Sequence, residues 1–148
     1  CTNNYGPNQH PEKFIPHSIS LLLKDKPICI YGNGKQERDW LHVLDHVRAV
    51  EEIRKNGVNG EVYNIGAGHP LSNLEVAQLL LKIMDKPTHL IEHVQDRQGH
   101  DQRYSLDTSK LKTQLHWGPT IPFRQGFQET VNWYMENEAW WLSNEKKR

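Results

Sequence analysis

The chain has 148 residues, 36% hydrophobic and 24% charged, a balance that suits one folded domain with a real core and excludes a disordered segment. Its 18 basic and 18 acidic side chains cancel, which excludes the strongly basic face that a nucleic-acid partner requires. No apolar run nears the roughly 20 residues that cross a bilayer, no basic-then-apolar leader opens the chain, and two cysteines build no disulfide framework, so the expected site is the cytoplasm, with no membrane partner.

In chain order, Cys1-Thr2-Asn3-Asn4-Tyr5-Gly6-Pro7 opens without Met and enters a turn signal at once, as a mature terminus, a trimmed chain or a chain cut from something longer can. Ile15, Ile19, Leu22 and Leu23 fall at helical spacing, and Lys24-Asp25-Lys26-Pro27 ends that helix. Ile28-Cys29-Ile30-Tyr31 reads as a strand stopped by Gly32-Asn33-Gly34. Trp40, Leu41 and Val43 form a short extended piece, and Val47, Val50 and Ile53 carry a helix to Asn56-Gly57. Residues 61–65 alternate as a strand that breaks at Gly66-Ala67-Gly68. Ser72 and Glu75 fit a capping box, and the helix behind it buries Val76, Leu80, Ile83 and Met84.

Pro87 ends that helix, and residues 88–94 read as a strand. Asp107 or Thr108 caps a short helix through Leu115, and the last helix, from Phe123, turns Phe127, Val131, Tyr134 and Met135 to one face. Residues 144–148 form a polar, frayed tail. Alternation of this kind predicts α/β architecture, with the early part resembling the end of a larger sheet.

Three motif matches fail on local structure. His89-Leu90-Ile91-Glu92-His93 fits a zinc pattern that needs a helix. On the strand predicted here the two His are roughly 13 Å apart, so no metal is expected. Gly32-Asn33-Gly34 and Gly66-Ala67-Gly68 follow strands as dinucleotide loops do, yet Glu37 and Leu71 replace the third glycine, and both are turns. Five Trp and five Tyr are scattered, as packing residues rather than a base-stacking platform.

A longer constellation carries more. Asn3-Asn4-Tyr5-Gly6-Pro7 precedes Pro11-Glu12-Lys13-Phe14-Ile15-Pro16. Then come Tyr31-Gly32-Asn33-Gly34, Arg38-Asp39-Trp40-Leu41-His42-Val43, Asp45-His46 and Tyr63-Asn64-Ile65-Gly66. Asp96-Arg97-Gln98-Gly99-His100-Asp101-Gln102-Arg103-Tyr104 closes the series. In this order, over essentially residues 1–140, the chain resembles the carboxy-terminal part of the dTDP-glucose 4,6-dehydratases, extended short-chain dehydrogenase/reductases of the NAD-dependent epimerase/dehydratase group. It departs from them at Gln98, where a proline is common and the loop less rigid, at Leu44, in place of an acidic residue, and at His42, in place of a tyrosine.

The resemblance implies the last strands of a Rossmann-type sheet plus the smaller mixed α/β substrate-binding domain. Residues 1–148 are then the sugar-nucleotide-binding portion, with the NAD-binding Rossmann portion absent. Family members take a hydride from C4 of the glucose onto NAD, lose water across C5 and C6, and return the hydride to C6, giving dTDP-4-dehydro-6-deoxyglucose for deoxysugar synthesis. The Tyr-x-x-x-Lys pair and the acid/base pair for this lie ahead of Asn3 in the family. Tyr31 and Lys35 match that spacing across a turn, not one helical turn apart. No catalytic residue is therefore expected in this chain, which alone is expected to be inactive and to bind little or no NAD.

Arg38 and Arg97 are implied for the diphosphate, which favours planar, bidentate cations. From composition alone they read as surface ion pairs with Asp39 and Asp96. Tyr31 is implied against the thymine, where stacking is worth about 1–3 kcal/mol, and otherwise reads as a core tyrosine. Asn73, at the positive end of a helix, is implied for the nucleotide. Asn3 is implied for the sugar-phosphate side and Asn4 for the side facing NAD; otherwise both are turn residues. Lys13, Phe14, Ile15, Pro16, His17, Ser18, Cys29, Ile30, Asp96, Gln98, Gly99 and His100 complete the implied pocket.

The implied partners are a dTDP-sugar, the missing amino-terminal half and, at full length, a second copy. The exposed apolar faces of the first strand and helix, and an unpaired strand edge, are expected to cause self-association, disorder in the first residues or pairing with that half. A sister nucleotide-sugar epimerase, decarboxylase or dehydratase, and a non-catalytic sugar-nucleotide-binding or assembly module, stay open as alternatives.

Overall fold

The computed structural model describes residues 1–145. Its architecture is mixed α/β, with elements in the order β1 (Asn3–Tyr5), α1 (Phe14–Leu23), β2 (Ile28–Tyr31), β3 (Glu37–His42), α2 (Val43–Asn56), β4 (Pro70–Ser72) and α3 (Asn73–Ile83). There follow a 3-10 turn (Thr88–Leu90), β5 (Ile91–Val94), β6 (Arg103–Tyr104), α4 (Ser109–Leu115), α5 (Phe123–Glu136) and α6 (Glu138–Glu145).

β3 organises the larger sheet. β1 runs parallel to it with Asn3 opposite Trp40 and Tyr5 opposite His42. β4 pairs antiparallel, with Arg38 opposite Leu71, and β6 pairs parallel, with Arg38 opposite Tyr104. β2 and β5 form a separate parallel pair, Ile28 opposite Ile91 and Tyr31 opposite Val94.

The main core gathers Ile15, Ile19 and Leu22 of α1, Ile28 and Ile30 of β2, Val76 and Leu80 of α3, Phe127, Val131 and Tyr134 of α5, and Trp141 of α6. Ile19 and Leu22 are fully buried, each worth about 1.5–3 kcal/mol of burial. A smaller core joins Leu41, Ala49, Ile65 and Leu111 under α2 and α4. α1 stops at Lys24, where Asp25 turns left-handed at φ 52° ahead of Pro27. α3 starts on the predicted capping box, the Ser72 side chain accepting the Glu75 N–H and the Glu75 carboxylate accepting the Ser72 N–H.

Several expectations need correction. The first strand and helix are not apolar surfaces left bare: Tyr5, Ile15, Ile19 and Leu22 are buried, because α1 packs against α3, α5 and β2 of this same chain. Residues 61–65 form no strand; the Thr2 N–H to Ile65 carbonyl bond, 2.9 Å, holds them to the segment just ahead of β1. The strand expected over 88–94 starts at Ile91, the residues before it forming the 3-10 turn. Val43 belongs to α2 rather than to the extended piece.

On α2, Val47 and Val50 are exposed, because the helix docks through Ala49 and a buried Asp45. Met135 is also exposed. Beyond α5 the chain breaks at Asn137 and forms α6, whose Trp141 indole donates to the Tyr134 carbonyl at 3.0 Å. Asn144 thus lies in a helix rather than a frayed tail, and residues 146–148 lie outside the described residues. Among the described residues no helix is long and apolar enough to cross a membrane.

Candidate functional site

A cleft of about 400 Å³ opens where α1, β2 and β3 meet the start of α3 and the loop after β5. Strand alternation aims its walls. On β3, Arg38 and Trp40 share the cleft face while Asp39 points away; on β2, Cys29 and Tyr31 alternate with buried Ile30. On β1, Asn3 lines the cleft and Asn4 takes the opposite face, its Oδ1 2.8 Å from Nδ1 of His46 on α2.

Arg38 and Arg97, distant in sequence, line the same cleft, and Tyr31, Asn73 and His100 join them. The ion pairs read from composition do not form. Arg38 donates to the carbonyls of Glu37 (2.7 Å) and Asp101 (3.0 Å). The Asp39 carboxylate instead accepts the backbone N–H groups of Ala67, Gly68 and His69 at 3.0–3.1 Å. The Arg97 guanidinium lies 5.0 Å over the Tyr31 ring, while Asp96 accepts the backbone N–H of Arg97 at 2.8 Å. Two cations held clear of their neighbouring carboxylates leave net positive character for an anionic ligand.

Tyr31 is not a core residue; it is 41% exposed, with His100 edge-on at 6.0 Å. Asn73 is the first residue of α3, yet the helix end is not an open amide nest. The Asn73 N–H goes to the Gln36 carbonyl, the Leu74 N–H to the Gly34 carbonyl and the Glu75 N–H to Ser72 Oγ. Asn73 therefore offers its side-chain amide, not the helix terminus. Gly34 allows this close approach: at φ +71°, a Cβ there would stand 2.6 Å from Ile30 Cγ2 and 2.9 Å from Leu74 Cβ.

Phe14, His17 and Ser18 on α1 also line the cleft, as expected. Gln98 and Gly99 line a smaller adjoining hollow, about 220 Å³, with Arg38, Arg97 and His100. Asp96 stands behind them, its carboxyl held below the usual range first by the His100 hydrogen bond. Ile15, Pro16 and Ile30 are buried outside the lining, and Lys13 is outside it too, paired with Glu12 at 2.8 Å. Glu12, Leu21, Ile28 and Trp40 line the cleft without having been singled out as ligand residues. The Arg38–Trp40 alternation on β3 was the available signal for Trp40.

Among the described residues the dinucleotide loop that NAD would need has no counterpart. The turns at Gly32-Asn33-Gly34 and Gly66-Ala67-Gly68 hold tertiary contacts, and Asn4 has its amide engaged by His46 and by the Thr2 carbonyl. The zinc pattern is split, His89 in the 3-10 turn and His93 on β5, where His93 Nδ1 stands 2.8 Å from the Gly32 carbonyl.

Comparison with known proteins finds relatives along nearly the whole chain. Residues 1–130 match a family model described as GDP-mannose 4,6 dehydratase. A dTDP-glucose 4,6-dehydratase of Streptomyces niveus is 48% identical over 141 residues, covering 95% of this chain and 42% of that protein. The crystal structure of a dTDP-glucose 4,6-dehydratase from Bacillus anthracis, in complex with NAD, superposes with a TM-score of 0.92 at 44% identity, over 97% of this chain and 46% of that one. The enzyme of the same name from Streptomyces venezuelae, also solved with NAD, gives 0.94 at 42% identity, over 97% and 45%. The chain thus spans less than half the length of the relatives it matches. The expected fold class, the closing part of a Rossmann-type extended short-chain dehydrogenase/reductase, holds.

Proposed function

The chain belongs to the family described as GDP-mannose 4,6 dehydratase, and from that membership we propose that it is the substrate-binding portion of an NAD-dependent dTDP-glucose 4,6-dehydratase. The observation that carries this reading is the convergence of Arg38, Arg97, Asn73 and Tyr31 on one cleft, with both guanidinium groups turned from the carboxylates beside them. Arg38 and Arg97 clamp the diphosphate, Tyr31 meets the pyrimidine, and the Asn73 amide and Asn3 orient the ribose and sugar-phosphate side. The chain binds and orients a dTDP-sugar and performs no bond-making step itself.

In this reading NAD, which supplies the hydride chemistry, is held by an amino-terminal Rossmann portion, with Asn4 this chain's contribution. The complete enzyme works in the cytoplasm as a homodimer, and this chain alone does not turn over. The test is calorimetric titration of the chain with dTDP and with UDP. Saturable binding of dTDP in preference to UDP supports the reading; preference for UDP moves it to a sister nucleotide-sugar enzyme, and no binding of either removes it.

A further inference from the structure

Gln36, just ahead of β3, is 1% exposed, and its Nε2 donates to Asp96 Oδ2 at 2.7 Å. The other carboxylate oxygen of Asp96 accepts the Arg97 backbone N–H at 2.8 Å and lies 2.6 Å from His100 Nδ1. The His100 side chain is only 4% exposed, yet it lines both the cleft and the adjoining hollow. Gly32, at φ +56°, lets the turn after β2 close on this hub; a Cβ there would come within 2.9 Å of Asp96 Oδ2. An ionised carboxylate only accepts hydrogen bonds, so the hydrogen between Asp96 and His100 belongs to Nδ1. An imidazole that carries its one hydrogen on Nδ1 has its lone pair on Nε2.

We propose that Asp96 fixes His100 as the Nδ1–H tautomer and that Gln36 holds Asp96 in place, both as positioning residues, so that His100 Nε2 accepts a hydrogen bond from a nucleotide donor, either the pyrimidine imide N–H or a ribose hydroxyl. Gln36 restrains Asp96 from the β3 side, and Asp96 restrains both the ring of His100 and the backbone that carries Arg97. One buried amide thereby holds two ligand-facing side chains in register across the Gln98-Gly99 loop. The inference rests on the nucleotide-binding reading of the same cleft.

The experiment pairs 15N spectra of the histidines, with His100 assigned through His100→Gln, with dTDP titrations of the full chain. Wild type is expected to show His100 with its hydrogen on Nδ1. Asp96→Asn is expected to abolish that pattern and weaken dTDP binding about tenfold, the scale of one buried hydrogen bond. Gln36→Leu keeps the tautomer and weakens binding about threefold. Of N3-methylated and 3′-deoxy dTDP, the one lacking the relevant donor binds about tenfold more weakly to wild type and equally to Asp96→Asn.

A wild-type hydrogen on Nε2 overturns the proposal, as does a lost tautomer with unchanged dTDP affinity, or equal affinity for all three ligands. The Nδ1–H tautomer in a wild-type chain that binds no dTDP supports the positioning and overturns the nucleotide reading instead.

Discussion

At the scale of single residues, the cleft depends on two arginines that would ordinarily pair with the aspartates beside them. Both aspartates are taken by backbone amides: Asp39 by the turn at residues 67–69, Asp96 by the N–H of Arg97. Charge-assisted bonds to a diphosphate are worth about 1.5–3 kcal/mol each, so Arg38→Ala and Arg97→Ala should each weaken dTDP binding about 10- to 100-fold by calorimetry. Losses below about threefold would place the diphosphate elsewhere. Arg38, Arg97, Tyr31 and Asn73 were singled out from the sequence, and all four line one cleft. Gln36 was not, because no local pattern shows that its amide meets a carboxylate sixty positions on.

Asp45 supplies the residue-scale test of stability. Burial alone would raise its pKa, but the Ile121 and Thr120 amides, the Thr120 hydroxyl and Arg48 bring it below the ordinary 3.8. Its contribution is therefore present above pH 3.8 and lost as pH falls through the lower folded value. Burial lowers the pKa of His42, so its share is lost earlier, as pH falls below 6.5. Urea unfolding should show Asp45→Ala costing about 3 kcal/mol at pH 7, with a narrower gap near pH 3. A gap independent of pH would contradict the assignment.

At the scale of elements, α1, β2 and α3 were legible to within a residue or two, because spacing and stop signals agreed with the packing. α2 shows where periodicity fails. Val47 and Val50 suggested the buried face, but Ala49 and Asp45 make the contact. Ile19→Ala on α1 should then cost about 2–5 kcal/mol, while Val47→Ser should change stability by less than about 0.5 kcal/mol, both by denaturant unfolding. Comparable losses would mean that α2 packs through its valine stripe. Residues 61–65 alternate as a strand would, yet they lack a paired neighbour on which to build a ladder, and pairing is not written in one segment's sequence.

At the scale of the molecule, α1 looked from sequence like a helix stripped of its support. It is instead the centre of a core shared with α3, α5 and α6, so the cleft has a packed wall within this chain. A preformed cleft without a cofactor loop should bind the nucleotide and leave dTDP-glucose unchanged; product formation by the isolated chain with added NAD would contradict that division of labour. The most direct test of the whole account is a crystal structure of the chain with dTDP. The account predicts the diphosphate within hydrogen-bonding distance of the Arg38 and Arg97 guanidinium groups, with the pyrimidine against Tyr31. Electron density for dTDP outside this cleft, with both arginines still on protein carbonyls and the Tyr31 ring, would contradict it.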